Sequence, residues 1–119
     1  MSFDRVAGEK HIYLTTRGRK TGHPHTVQLM FALAGKKIYL SHEGACTDWM
    51  KNILKDSRVE FKIGNVQFRG NARIAKTGEI FETGKHALYH KYYGQADEDT
   101  INDWFSESTV IEITMTDEA

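Results

Sequence analysis

The feature that most constrains this chain is a strict two-residue alternation on both sides of one short turn. Val59, Phe61 and Ile63 alternate with Arg58, Glu60 and Lys62; beyond Gly64-Asn65, Val66, Phe68, Gly70, Ala72 and Ile74 alternate with Gln67, Arg69, Asn71 and Arg73. Successive strand side chains point to opposite faces, so this stretch has one apolar and one polar face. The Gly-Asn pair suits a tight primed turn. Such a turn sets the register: Ile63 opposite Val66 and Phe61 opposite Phe68 on the core side, with Glu60 opposite Arg69 on the other. An isolated hairpin is marginal in water, so its apolar face requires more sheet or a helix to cover it.

The rest of the chain supplies both. Residues 11–16, 26–33, 37–41 and 110–115 are rich in β-branched and aromatic side chains and read as strands. Trp49, Met50, Ile53 and Leu54 recur at helical spacing, as do Ile80, Phe81, Gly84, Ala87 and Leu88 in a second helix that ends near Gly94. Thr47 or Asp48 is the expected cap of the first helix. Asp97-Glu98-Asp99 opens a short third helix running to Trp104, with acids at the end that favours them. The expectation is an α+β fold, mainly β: about six antiparallel strands and two to three helices, a small barrel closed by the late strand, in one domain over residues 1–119.

Composition removes several function classes. The hydrophobic share is 39% before ten glycines are counted, ordinary for a globular chain. Sixteen basic residues balance sixteen acidic ones, which argues against nucleic acid as the main partner, since phosphate neutralisation needs a positive surplus. Phe61 and Phe68 also fall on the face opposite Arg58, Lys62 and Arg69, not interleaved with them as a single-strand-binding surface requires. No apolar run is long enough for a membrane span. The start lacks the layout of a signal peptide, and one cysteine, Cys46, cannot pair internally, so a cytoplasmic address is expected. His86 and His90 stand four apart on a helix, a zinc spacing, but no third ligand accompanies them and no metal is expected.

The chemistry concentrates in the first loop. Arg17, Arg19 and Lys20 stand beside Gly18, Thr21 and Gly22 between two strands. Glycine lets backbone amides approach an anion, and the guanidinium fork matches phosphate or carboxylate oxygens. A solvated basic hairpin tip is the alternative on residue chemistry alone. A second such element, Ser41-His42-Glu43-Gly44-Ala45-Cys46, precedes the start of the first helix, where free N–H groups favour anions.

Leu14-Thr15-Thr16-Arg17-Gly18-Arg19-Lys20-Thr21-Gly22 with Pro24 resembles the signature of deazaflavin-dependent nitroreductase-like proteins, in the split-barrel superfamily that includes pyridoxamine-phosphate-oxidase-like enzymes. Ser41-His42-Glu43-Gly44, Trp49-Met50-Lys51-Asn52-Ile53 and Asp56-Ser57-Arg58-Val59 follow in order, so the resemblance spans residues 11–75. It implies a split β-barrel that binds coenzyme F-420 or FMN in a groove and passes two electrons to a small acceptor such as a quinone or nitroaromatic. It assigns the cofactor's phosphate or acidic tail to Arg19 and Lys20, with Arg17 and Thr21 in the same loop. Ser41, His42, Gly44 and Ala45 take positions beside the cofactor, and Trp49 and Asn52 the helix that follows. His25 stands where many members carry arginine, which weakens the grip on a long acidic tail, and Glu43 where they carry glycine; both changes shift weight toward FMN or toward a subgroup with its own tail chemistry. Tyr92 and Tyr93 either pack or line the acceptor site, and a homodimer is expected. The competing function is a barrel that carries a flavin, haem or other ligand without turnover.

Overall fold

The structure, a computed structural model, describes residues 6–44 and 46–118. Its elements are β1 (His11–Arg17), β2 (Pro24–Met30), β3 (Ala32–Ala34), β4 (Lys37–Glu43), α1 (Asp48–Lys55), β5 (Arg58–Ile63), β6 (Val66–Ala75), α2 (Gly78–Tyr93), α3 (Glu98–Trp104) and β7 (Ser108–Glu118). The strands form one antiparallel sheet in the order β2-β1-β5-β6-β7-β4-β3. The first and last strands of that order, β2 and β3, are separated in the chain by Phe31 alone. A sheet whose two edges meet at one residue must curl on itself, and it encloses a core.

That core holds Ile12, Leu14, Phe31, Ile38, Leu40, Phe61, Ile63, Phe68, Ile111 and Ile113, with Trp49, Met50 and Ile53 of α1 packed against it. A second core lies outside the barrel wall. There Tyr39, Ala32 and Val110 meet Leu88 of α2 and Ile101 and Phe105 at α3. Strands β4 and β7 are therefore covered on both faces, which explains why residues 38–40 and 109–113 are buried without alternation. The helix α2 lies close to this wall at Gly84. An added Cβ there would sit 2.9 Å from Cδ1 of Tyr39 and closer still to Cγ1 of Val110.

The hairpin register is as expected: Ile63 pairs with Val66, Phe61 with Phe68 and Glu60 with Arg69. The two phenyl rings stack at 5.2 Å. Two expectations need correction. The segment 26–33 is not one strand, because pairing passes from β1 to β4 at Phe31, giving seven strands rather than six. The late strand β7 does not close the barrel; it sits between β6 and β4, and closure falls to the Phe31 junction. Arg69 bonds Asp117 of β7, its neighbour on the other side, rather than Glu60. Thr47 is the N-cap of α1 by position, yet its hydroxyl makes no capping bond, whereas Asp97 caps α3 by accepting from the Thr100 amide at 2.8 Å.

Candidate functional site

Strands β1 and β2 stay paired as far as Arg17 and Pro24, so Gly18 to His23 must reverse the chain. The Gly18 amide donates to the His23 carbonyl and the Gly22 amide to the Gly18 carbonyl, both at 2.8 Å. Gly22 has φ +77°, a conformation that side chains disfavour. A Cβ on Gly18 would crowd Thr21 Oγ1, the His23 carbonyl and His25 Nε2 at 3.1–3.3 Å. The glycines thus shape a compact loop, and their amides are engaged within it rather than offered to an anion. The amide of Gly44, whose φ is +86°, is likewise engaged, donating to the Glu107 carbonyl at 3.0 Å.

The loop is fastened to α1 through Asn52, which is 2% exposed. Its Oδ1 accepts from the Arg19 amide at 3.2 Å and from Arg19 Nη1 at 3.1 Å; its Nδ2 donates to Thr16 Oγ1 at 3.1 Å. Lys55 Nζ adds a bond to the Arg19 carbonyl at 2.7 Å. An amide side chain suits this place because it accepts and donates without bringing charge into a buried position. Half of the Arg19 fork is therefore structural. Its other nitrogen, Nη2, reaches only the exposed Asp48, at 3.4 Å.

Beside the loop lies a groove of about 1220 Å³ on the outer face of β1, β5 and β6. Five basic side chains line it (Arg17, Arg19, Lys55, Arg58 and Arg69) against two acidic ones, Asp56 and Glu60. Arg58 pairs with Asp56 at 2.8 Å, and its hydrogen bonds hold that carboxyl at about 2. Arg69 pairs with Asp117, whose carboxyl it also holds low. Arg17 differs. Its guanidinium has only a 3.5 Å bond to the Gly22 carbonyl, and no carboxylate among the described residues lies within ion-pair distance. An anion in the groove would meet an unpaired guanidinium there.

The other expected residues are dispersed. Lys20 and Thr21 on the loop and His25 in β2 are exposed but do not line the groove. Ser41 and His42 are half-buried at the end of β4, where His42 meets the largely buried Trp49 edge-on at 6.2 Å. Through α1 these two connect to Asn52 and the loop. Ala45 lies outside the described residues. Tyr92 and Tyr93 are at the far end of β1 and β2. The Tyr92 hydroxyl is bonded to Phe31 and to the Lys10 carbonyl, and Tyr93 packs at 5.3 Å on Tyr89 and 4.8 Å on Trp104. The basic groove does not include them, and Tyr93 is 50% exposed. Sequence reasoning missed Lys55, Arg58 and Arg69 as groove residues. Alternation had put Arg58 and Arg69 on the polar face, but nothing local says that this face adjoins the first loop.

The sequence model of the F420H(2)-dependent quinone reductase family matches residues 3–98. The chain belongs to that family. No curated protein matches its sequence. Among solved structures, this F420H(2)-dependent quinone reductase family member resembles a conserved hypothetical protein from Mycobacterium tuberculosis, with TM-score 0.80 and 21% identity over 99% of this chain and 82% of that one. It also resembles an F420 reductase, with TM-score 0.71 and 16% identity over 100% and 97% of the two chains. A pyridoxamine 5′-phosphate oxidase-like protein from Listeria innocua follows, with TM-score 0.68 and 15% identity over 96% and 90%. The fold of this family member is a split barrel: a curled antiparallel sheet with three helices. A basic groove in which Arg17 has no carboxylate partner among the described residues fits a phosphate-bearing coenzyme, because an anionic oxygen can take a charge-assisted donor there.

Proposed function

We propose that this protein is an oxidoreductase that holds coenzyme F-420 or FMN by its phosphate at the first loop, and reduces a small acceptor such as a quinone or a nitroaromatic. The observation that carries the reading is Arg17, whose guanidinium has no carboxylate among the described residues within ion-pair distance, in a net-positive groove of a chain that belongs to the F420H(2)-dependent quinone reductase family. When bound, the coenzyme supplies hydride transfer; the protein supplies binding and orientation. Arg17 would take a phosphate oxygen directly. Arg19, fixed by Asn52, would exchange its long contact with Asp48 for another, and Lys20 and Thr21 would add donors at the rim. Asn52, which also lines the groove, would position Arg19 against the ligand. Ser41, His42, Gly44, Ala45 and Trp49 would flank the ring, with His42 held against Trp49. Two copies would pair in a homodimer, with both chains building each cofactor groove. The lone exposed thiol of Cys46 suits a reducing cytoplasm.

The test is a fluorescence titration of the protein with FMN and with F-420, followed by reoxidation of the reduced complex with menadione. Binding of at least one coenzyme, weakened tenfold or more by Arg17→Ala with unchanged circular dichroism, is the expected result. Failure of both to bind sinks the reading. Binding with no reoxidation by any quinone or nitro compound supports a ligand carrier instead.

A further inference from the structure

A second pocket lies at the opposite end of the β1–β2 hairpin from the basic loop. The hairpin runs from the Arg17–Pro24 pair to the His11–Met30 pair, six residues or about 20 Å, so this pocket is separate from the cofactor groove. It has a volume of about 550 Å³ and is lined by Gly8, Lys10, His11, Met30, Lys91 and Tyr92, along with Ala7. That volume falls within the range of about 300–1,000 Å³ common for small-molecule sites.

Lys91 distinguishes this pocket from a chance depression. Its ammonium is half-buried, 3.5 Å from the centre of the Phe31 ring and 5.2 Å from that of Tyr92. Its hydrogen bond is to the Glu9 carbonyl, at 2.7 Å. No carboxylate among the described residues lies within ion-pair distance of it. The carboxylate of Glu9 is turned to the β5–β6 turn, where its Oε1 would be 2.9 Å from a Cβ on Gly64. Desolvation lowers the Lys91 pKa, and the field of Glu9 offsets this only in part. A half-buried cation without a counter-ion is costly unless an anion completes it. The surroundings define that anion. Lys10 and His11 add exposed donors, and Met30, 43% exposed, adds apolar surface beside the Tyr92 ring. The Tyr92 hydroxyl is already engaged with backbone, so the ring offers only its flat surface.

We propose that this pocket binds an organic carboxylate with a flat apolar body, its carboxylate on Lys91 Nζ with Lys10 and His11 at the rim, and its body against Met30 and the ring of Tyr92. The ligand would bridge the segment before β1, the end of β2 and the end of α2, the three pieces that meet where the sheet splits. The site stands whether or not the basic groove binds a coenzyme.

The experiment is a titration of the full chain with sodium benzoate and with neutral, isosteric benzamide, read by backbone amide shifts. Saturable shifts at Gly8, Lys10, His11 and Met30 are expected with benzoate and not with benzamide. Lys91→Met should weaken benzoate binding at least tenfold. The double variant Lys10→Gln, His11→Gln changes only exposed side chains, and should weaken it severalfold even if Lys91→Met does not fold. Equal shifts with benzamide, shifts confined to the Arg17 loop, no saturable binding, or full affinity in either a folded Lys91→Met or the double variant would each overturn the proposal.

Discussion

The hydroxyl of Tyr92 holds both backbone polar groups of Phe31: it accepts from the Phe31 amide at 3.0 Å and lies 2.7 Å from the Phe31 carbonyl. Phe31 is where the chain leaves one edge of the sheet for the other, so neither ladder can satisfy these groups. One side chain of α2 therefore completes the hydrogen bonding that the split interrupts.

Tyr92→Phe keeps the ring and removes that hydroxyl. A part-buried amide and carbonyl are then left without their partner, and a loss of about 1–3 kcal/mol is expected. Urea unfolding monitored by circular dichroism measures it. Coenzyme affinity at the distant loop should not change.

Asn52→Ala removes one acceptor and one donor from a buried position and frees the Arg19 amide. The expected loss is about 2–3 kcal/mol, from three bonds at roughly 1 kcal/mol each. Hydrogen exchange at Arg19 should accelerate even at temperatures where the barrel remains folded. Unchanged protection at Arg19 would show that Asn52 does not hold the loop.

Gly84→Ala places a methyl group against Val110 and Tyr39, where α2 has no room to accept it. Overpacking of this kind costs about 1–3 kcal/mol. The melting temperature should fall by roughly 4 °C per kcal/mol at this chain length.

His86 links α2 to α3 in a pH-dependent way. Its Nδ1 is 2.6 Å from the Glu82 carbonyl and its Nε2 bonds the Glu98 carboxylate. Both partners only accept, so both ring nitrogens must carry protons, and the pKa is raised, chiefly by the Glu98 bond. Lys85, which pairs with Glu82 and bonds Asn102, opposes the shift but does not reverse it. The stabilisation is complete below the unfolded value of about 6.5 and is lost as pH rises through the raised folded value. The melting temperature should therefore decline from pH 6 to pH 9 more steeply in the native chain than in Glu98→Gln. Parallel profiles would remove the pair from this role.

Local patterns were readable before any tertiary information. The β5–β6 register followed from Gly64-Asn65 and its flanking alternation, and α1 from Trp49, Met50 and Ile53. The first loop announced its charge through Arg17, Arg19 and Lys20. What those residues do was less visible, because Arg19 is half committed to Asn52, thirty-three positions away, while Arg17 has no carboxylate partner among the described residues.

The break at Phe31 shows the limit most plainly. Val27, Leu29, Phe31 and Leu33 all pack on the inner core while Ala32 and Ala34 pack under α2, so the alternation crosses the split without a fault. The sequence by itself determined which face each side chain would take, since that depends only on strand parity and apolarity. Which strands would lie side by side was decided by the tertiary structure, because pairing β1 with β5 and carrying one segment from edge to edge depend on contacts between distant parts of the chain. From that pairing came the groove that sets Arg58 and Arg69 beside Arg17.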